Sequence, residues 1–283
     1  MLRTLLLPLA LLLGAAPAPE LPHFAIERPA ALGGRPVGGQ LPIVHATVAG
    51  RPGVFLFDTG ANRTVLSPGF ADAAGLIRRT PVKGRDSSGA PVSAYPVEMV
   101  EQVDLAIGDA RYHLAQLAVV RMTILDALGI DGVVSAQSLV GPDCLRIDFA
   151  RGIATSAPPA SPACTLDGVP APIGSDGQAR VTVTAGGASG PFLLDSGAWR
   201  TSLPADFLPD APRLGGEAHG GVSGVVKTSD LIGPVTLGLG GRDLHLAQAR
   251  RALPGKGGIL GFDLLSRAVL LMRPGKDALL ALP

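Results

Sequence analysis

Apolar and polar positions alternate with a period of two through most of this chain, and the alternation is broken by turns rich in Gly and Pro. "PIVHATVAGRPGVFLF" and "ARVTVTAGGASGPFLL" each read as an alternating strand, a Gly-containing turn and a second strand. In both cases the second strand becomes wholly apolar and then meets a lone Asp, in "FLFDTGANRTVL" (residues 55–66) and "FLLDSGAWRTSL" (192–203). Helical periodicity is scarce. A short helix after each Asp segment is the most the pattern predicts, and "SPGFADAAGL" is its better case.

The alternation is also written twice. Phe55, Leu56, Asp58, Gly60, Ala61, Arg63, Thr64 and Leu66 find counterparts in Phe192, Leu193, Asp195, Gly197, Ala198, Arg200, Thr201 and Leu203. Downstream, "VDLAIGDARYHLAQLAVV" matches "VTLGLGGRDLHLAQARRA", and "DGVVSAQSL" (131–139) lies opposite "GGILGFDLL" (257–265). The repeated His113 and His245, at one strand position in each copy, read as structural. The stretch "SAPPASPACTLDGVPAPIGSDGQ" between the copies reads as a connector. The expected division is a leader at 1–18, one lobe at 20–155, a connector at 156–174 and a second lobe at 175–283.

Composition narrows the function. The chain has 283 residues, and a net charge of +1 with 17% charged residues leaves no clustered basic surface for a nucleic acid. "MLRTLLLPLALLLGAAPAPE" has the short basic start, apolar stretch and small-residue tail of a secretory signal. The expectation is therefore an exported protein, periplasmic or extracellular, with no membrane attachment once the signal is removed. Cys144 and Cys164 are the only cysteines and cannot complete a structural zinc site. A disulfide and two unpaired thiols both fit the sequence, and an oxidising compartment favours the disulfide. No metal and no cofactor is expected.

Two carboxylates at equivalent places in a duplicated chain suggest paired chemistry. At close range both cannot ionise cheaply, so they share one proton and titrate as a pair, one serving as base and the other as acid. That arrangement activates water against a peptide carbonyl. Gly60 and Gly197 suit turns in which backbone passes close to backbone, and Thr59 and Ser196 supply hydroxyls that can hold the two turns together. The simpler alternative is that each Asp only caps its own turn. It leaves unexplained why both copies keep apolar flanks.

"FDTGANRTVLS" and "LLDSGAWRTSL", with the later "GILGFDLL", resemble the active-site segments of retropepsin-like aspartic proteases, most closely the bacterial, retroviral-protease-like group. The resemblance runs from about residue 24 to 280. It implies an all-β fold of two duplicated β-barrel lobes related by pseudo-twofold symmetry, with the active-site cleft between them, in a monomer. It further implies catalysis by Asp58 and Asp195 on a peptide or unfolded protein. It places mobile hairpins at "RDSSGAPV" (85–92) and "HGGVSGVV" (219–226), so Ser88, Gly89, Ser223 and Gly224 join Asn62 and Trp199 as candidate substrate contacts. The chain departs from the family pattern at Ser135, where Gly is expected behind the first Asp turn, and at Asn62 and Trp199, where the viral enzymes carry acidic residues. These departures motivate a second reading, a non-catalytic peptide-binding module on the same fold. A carboxylate-pair glycosidase is disfavoured, because such enzymes give acid and base unlike surroundings. H-E-x-x-H, G-x-S-x-G and P-loop patterns do not occur.

Overall fold

The computed structural model describes residues 20–82, 97–220, 226–253, 257–275 and 277–283. The sequence-predicted leader at 1–18 and the candidate contacts Ser88, Gly89, Ser223 and Gly224 lie outside the described residues. Strands dominate, as the period-two pattern requires, and each copy of the repeat builds its own sheet.

In the first half the strands Ile43–Val48 and Arg51–Asp58 form the expected hairpin. Arg51–Asp58 then pairs in parallel with Gly132–Ser135, which places Ser135 opposite Asp58. The short strand Val65–Leu66 is inserted next, antiparallel to Gly132–Ser135 and parallel to Ala110–Val119. The long hairpin Val97–Ile107 and Ala110–Val119 returns to Ile43–Val48 and closes a six-stranded barrel. Gln102 takes a positive φ of 54° within this hairpin, which keeps one register from Glu98 to Ile107.

The second half repeats these pairings. Arg180–Ala185 and Ala188–Leu194 form the hairpin, and Ala188–Leu194 runs parallel to Gly258–Leu260. Ser202–Leu203 lies antiparallel to Gly258–Leu260 and parallel to Ala249–Arg251. Where the first half has one long continuous hairpin strand, this half is divided at Gly233-Pro234 into Val226–Ile232 and Val235–Leu239. A proline donates no ladder hydrogen bond, so the strand breaks at Pro234, the position that Gln102 holds in the first copy.

A third sheet takes strands from both halves, in the order His23–Ala25, Ile153–Ala157, Cys144–Asp148, Val269–Arg273, Asp277–Ala281 and Val169–Pro170. The halves meet where Leu145 faces Met272 and Asp148 faces Val269. One hydrophobic cluster continues from one half to the other through this sheet. Phe24 packs edge-on to Phe57, Phe57 packs against Phe149, and Phe149 packs edge-on to Phe262. Each such pair adds about 0.5–1.5 kcal/mol beyond its buried area. Cys144 and Cys164 form a disulfide beside this sheet. Val169–Pro170, within the stretch read as a connector, is in fact a strand of the third sheet.

The predicted helix after the first Asp turn spans Pro68–Ala73, with Ser67 accepting a hydrogen bond from Phe70 N as its cap and Pro at its start. No α-helix follows the second Asp turn, where Pro204 and Pro209 bracket a series of turns.

Candidate active site

Each Asp ends a strand whose last residues are fully buried: Phe55 and Phe57 in one copy, Phe192 and Leu194 in the other. Burial drives those strands to the molecular centre, so the turns that follow face each other across the junction. Thr59 and Ser196 interlock there. Thr59 N donates to Ser196 Oγ (3.0 Å) and Thr59 Oγ1 to the Leu194 carbonyl (2.9 Å), while Ser196 N donates to Thr59 Oγ1 (3.0 Å) and Ser196 Oγ to the Phe57 carbonyl (2.8 Å). Both hydroxyls are wholly buried, so the four hydrogen bonds form away from competing water.

The same crossing presses each glycine against the opposite carboxyl. A methyl group at Gly60 would come within 2.5 Å of Asp195 Cγ, and one at Gly197 within 2.5 Å of Asp58 Oδ2. Neither position accepts a side chain. Asp58 and Asp195 are thereby brought close enough to shift each other's titration. Asp58 Oδ1 also accepts from Gly60 N (2.7 Å) and Ala61 N (3.0 Å), and Asp195 Oδ1 accepts from Ala198 N (2.9 Å).

The two acids are not equivalent. Burial raises the Asp58 pKa, and hydrogen bonds from Gly60, Ala61, Asp195 and Gly197 draw it back. Burial lifts Asp195 well above the ordinary carboxylate range, and the neighbouring Asp58 charge lifts it further. The two carboxyls therefore titrate as a pair, and the turn favours charge on Asp58, which takes two backbone N–H bonds where Asp195 takes one.

Behind each turn a threonine performs the same task. Thr64 Oγ1 accepts from Ser135 N (3.2 Å), and Thr201 Oγ1 accepts from Gly261 N (3.1 Å). Ser135, where the repeat carries Gly261, fits without displacing the turn. Its buried hydroxyl donates to the Ala61 carbonyl, whereas the equivalent Ala198 carbonyl accepts from Phe262 N (2.7 Å). At Gly261 an added methyl would lie 2.4 Å from the Arg200 carbonyl carbon, so glycine is obligatory in that copy alone.

Asn62 and Trp199 occupy matching positions beyond the turns. Asn62 Nδ2 donates to the Asp176 carbonyl (3.1 Å), which ties the first turn to the 174–180 segment, and Trp199 is 40% exposed. The sequence reading passed over Gln137, Gln178, Glu217 and Arg250. Gln137 Nε2 reaches the Thr59 carbonyl (2.8 Å), and Gln178 Nε2 reaches the Gly60 carbonyl. Glu217 accepts from Arg200 Nε (2.9 Å) and from Arg250 Nη2 (2.6 Å). Arg250 stood out only as a charge where the first copy has Ala118.

Among the described residues no group of three or more His, Cys, Asp or Glu is placed to hold a metal ion, and no helix is long and apolar enough to cross a membrane. Residues 44–141 match the family model described as aspartyl protease, a span that takes in the Asp58 turn, the long hairpin and Ser135. No curated protein matches the chain.

Proposed function

We propose, from the aspartyl protease domain that the chain carries over residues 44–141, that both halves together form an endopeptidase acting through Asp58 and Asp195. The observation that carries this reading is the crossing of the two turns, locked by Thr59 and Ser196, in which each carboxyl lies against the glycine of the other turn. Ionised Asp58 takes a proton from a water molecule as that water attacks the scissile carbonyl. Protonated Asp195 donates to the carbonyl oxygen as negative charge develops on it. As the bond breaks, the leaving nitrogen takes the proton that Asp58 drew from the water, while Asp195 keeps its own. The reading extends beyond the matched segment because Leu194 precedes Asp195 in the same parallel pairing, with Leu260, that Phe57 makes with Val134.

The substrate is a peptide or an unfolded protein, and the chain works as a monomer. We place it outside the cytoplasm, on the signal-like residues 1–18 and on the Cys144–Cys164 disulfide, which suits an oxidising compartment. Amino-terminal sequencing of the protein from fractionated cells tests that location, and an uncleaved chain in the cytosol would refute it.

The activity test uses an unfolded protein and a peptide library. Asp58→Asn and Asp195→Asn should each lower kcat/KM by at least about 10²-fold. The parent should show a bell-shaped pH profile, failing on the acid side when Asp58 gains a proton and on the alkaline side when Asp195 loses one. Peptide binding without turnover at any pH would instead establish a binding module.

A further inference from the structure

Asp58 stands at the end of two lines of aligned hydrogen bonds that Asp195 lacks. The peptide between Thr59 and Gly60 aims its N–H at Asp58 Oδ1, and its carbonyl is held by Gln137 Nε2 (2.8 Å). The peptide between Gly60 and Ala61 does the same, with its carbonyl held by Gln178 Nε2. Gln178 is braced in turn, since its Oε1 accepts from Arg180 Nη2 (2.9 Å), and Arg180 is paired with Asp176 by two hydrogen bonds of 3.0 and 2.7 Å. A donor at the carbonyl end of a peptide polarises it and strengthens the bond made by its N–H, more so when a charged group begins the line.

The second turn has a different arrangement. Asp263 occupies the position of Gln137, and its carboxylate accepts from Thr201 N and Thr201 Oγ1. Leu41 occupies the position of Gln178, because Phe57 N donates to the Pro42 carbonyl as Leu194 N does to that of Ala179. Among the described residues no side-chain donor reaches the Ser196 or Gly197 carbonyl.

We infer that Gln137 and Gln178, the latter backed by Arg180, are positioning residues that hold the negative charge on Asp58 and so leave the proton on Asp195. Two of the three come from the second half, so the second half contributes to the acidity of the first half's turn. The titratable group facing Asp58 is Asp195, and the Asp176–Arg180 pair lies behind Gln178. The inference rests on the reading of the two acids as a pair sharing one proton.

The test uses the full chain with ¹³C-labelled aspartate, and carboxyl resonances assigned through Asp58→Asn and Asp195→Asn. Gln178→Met and Gln137→Met keep side-chain volume and remove the donor. Each should raise the lower apparent pKa of the pair by about a few tenths of a unit, the share of the retained N–H bond that polarisation supplies. The acid limb of kcat/KM should move by the same amount, with KM little changed. Arg180→Met, at a half-exposed site that tolerates change, should move it in the same direction by less. A titration that stays put in all three folded variants, even with activity reduced, would overturn the inference. If the parent cleaves no peptide, the proposed activity fails while the carboxyl titration still decides this point.

Discussion

The two halves follow one pairing scheme, yet the faces beside their Asp turns are made of opposite materials. Val65 pairs in parallel with Ala118, and the matching Ser202 pairs in parallel with Arg250. Around Ala118 lies a second apolar cluster that includes Ile43, Leu56, Met99, Met122 and Val133. Around Arg250 lie Ser202 and Ser229, both buried, together with Glu217 and Arg200. Arg250 is only 7% exposed, and Glu217 joins it to Arg200 as one carboxylate between two guanidinium groups. Glu217 lies on Arg213–Gly220, the first strand of a hairpin, while Arg200 follows the Asp195 turn, so the ion pairs fasten that hairpin to the turn. Backbone pairing thus tolerates either filling, provided each is complete in itself: apolar volume on one side, matched charge on the other.

Exchanging elements between the faces should expose that dependence. The largest loss is expected for Ala118→Arg, which buries a guanidinium without a counter-charge among apolar side chains. It should cost more than about 4 kcal/mol in urea unfolding. Glu217→Gln, which leaves Arg200 and Arg250 facing each other unneutralised, should cost about 2–3 kcal/mol, moderated by the partial exposure of the network. Next come the reciprocal changes behind the turns. Gly261→Ala should cost about 1–3 kcal/mol through overpacking against Arg200, and Ser135→Gly about 1 kcal/mol through the lost bond to Ala61. If the two prove equal, the turns are more alike than their contacts imply.

The smallest effect concerns pH. The Asp195 pKa is higher folded than unfolded, so the folded state holds its proton more tightly. That contribution is complete below the unfolded value of about 3.9 and is lost as pH rises through the folded value. Asp195→Asn should therefore melt a few °C above the parent at neutral pH, since about 1 kcal/mol moves Tm by roughly 2–4 °C in a chain of this size. The gap should close as pH falls towards the unfolded value.

Much of this organisation was legible in the sequence because it follows from periodicity and repetition. Alternation gave the hairpins, and the aligned Asp segments gave the crossing of Asp58 and Asp195. The third sheet was not legible, because Cys144–Asp148 and Val269–Arg273 pair across a long separation that no local pattern encodes. Val169–Pro170 was hidden for a related reason: two residues amid Pro and Ser carry no alternation, and only the edge offered by Asp277–Ala281 makes them a strand. The polar residues that matter most around the turns, Gln137, Gln178 and Glu217, break the repeat instead of keeping it. A search for what the copies share passes over them.

The third sheet also changes how the site depends on dilution. A pair of acids assembled from two separate copies exists only above the dissociation constant of the dimer, and its specific activity falls when the protein is scarce. Here the ladder between Cys144–Asp148 and Val269–Arg273 is closed within one molecule, so the second turn is always present at a high effective concentration. The pairing of the two turns then does not depend on abundance. One covalent chain also releases the halves from having to be identical, and a glutamine can be set against one aspartate without being set against both.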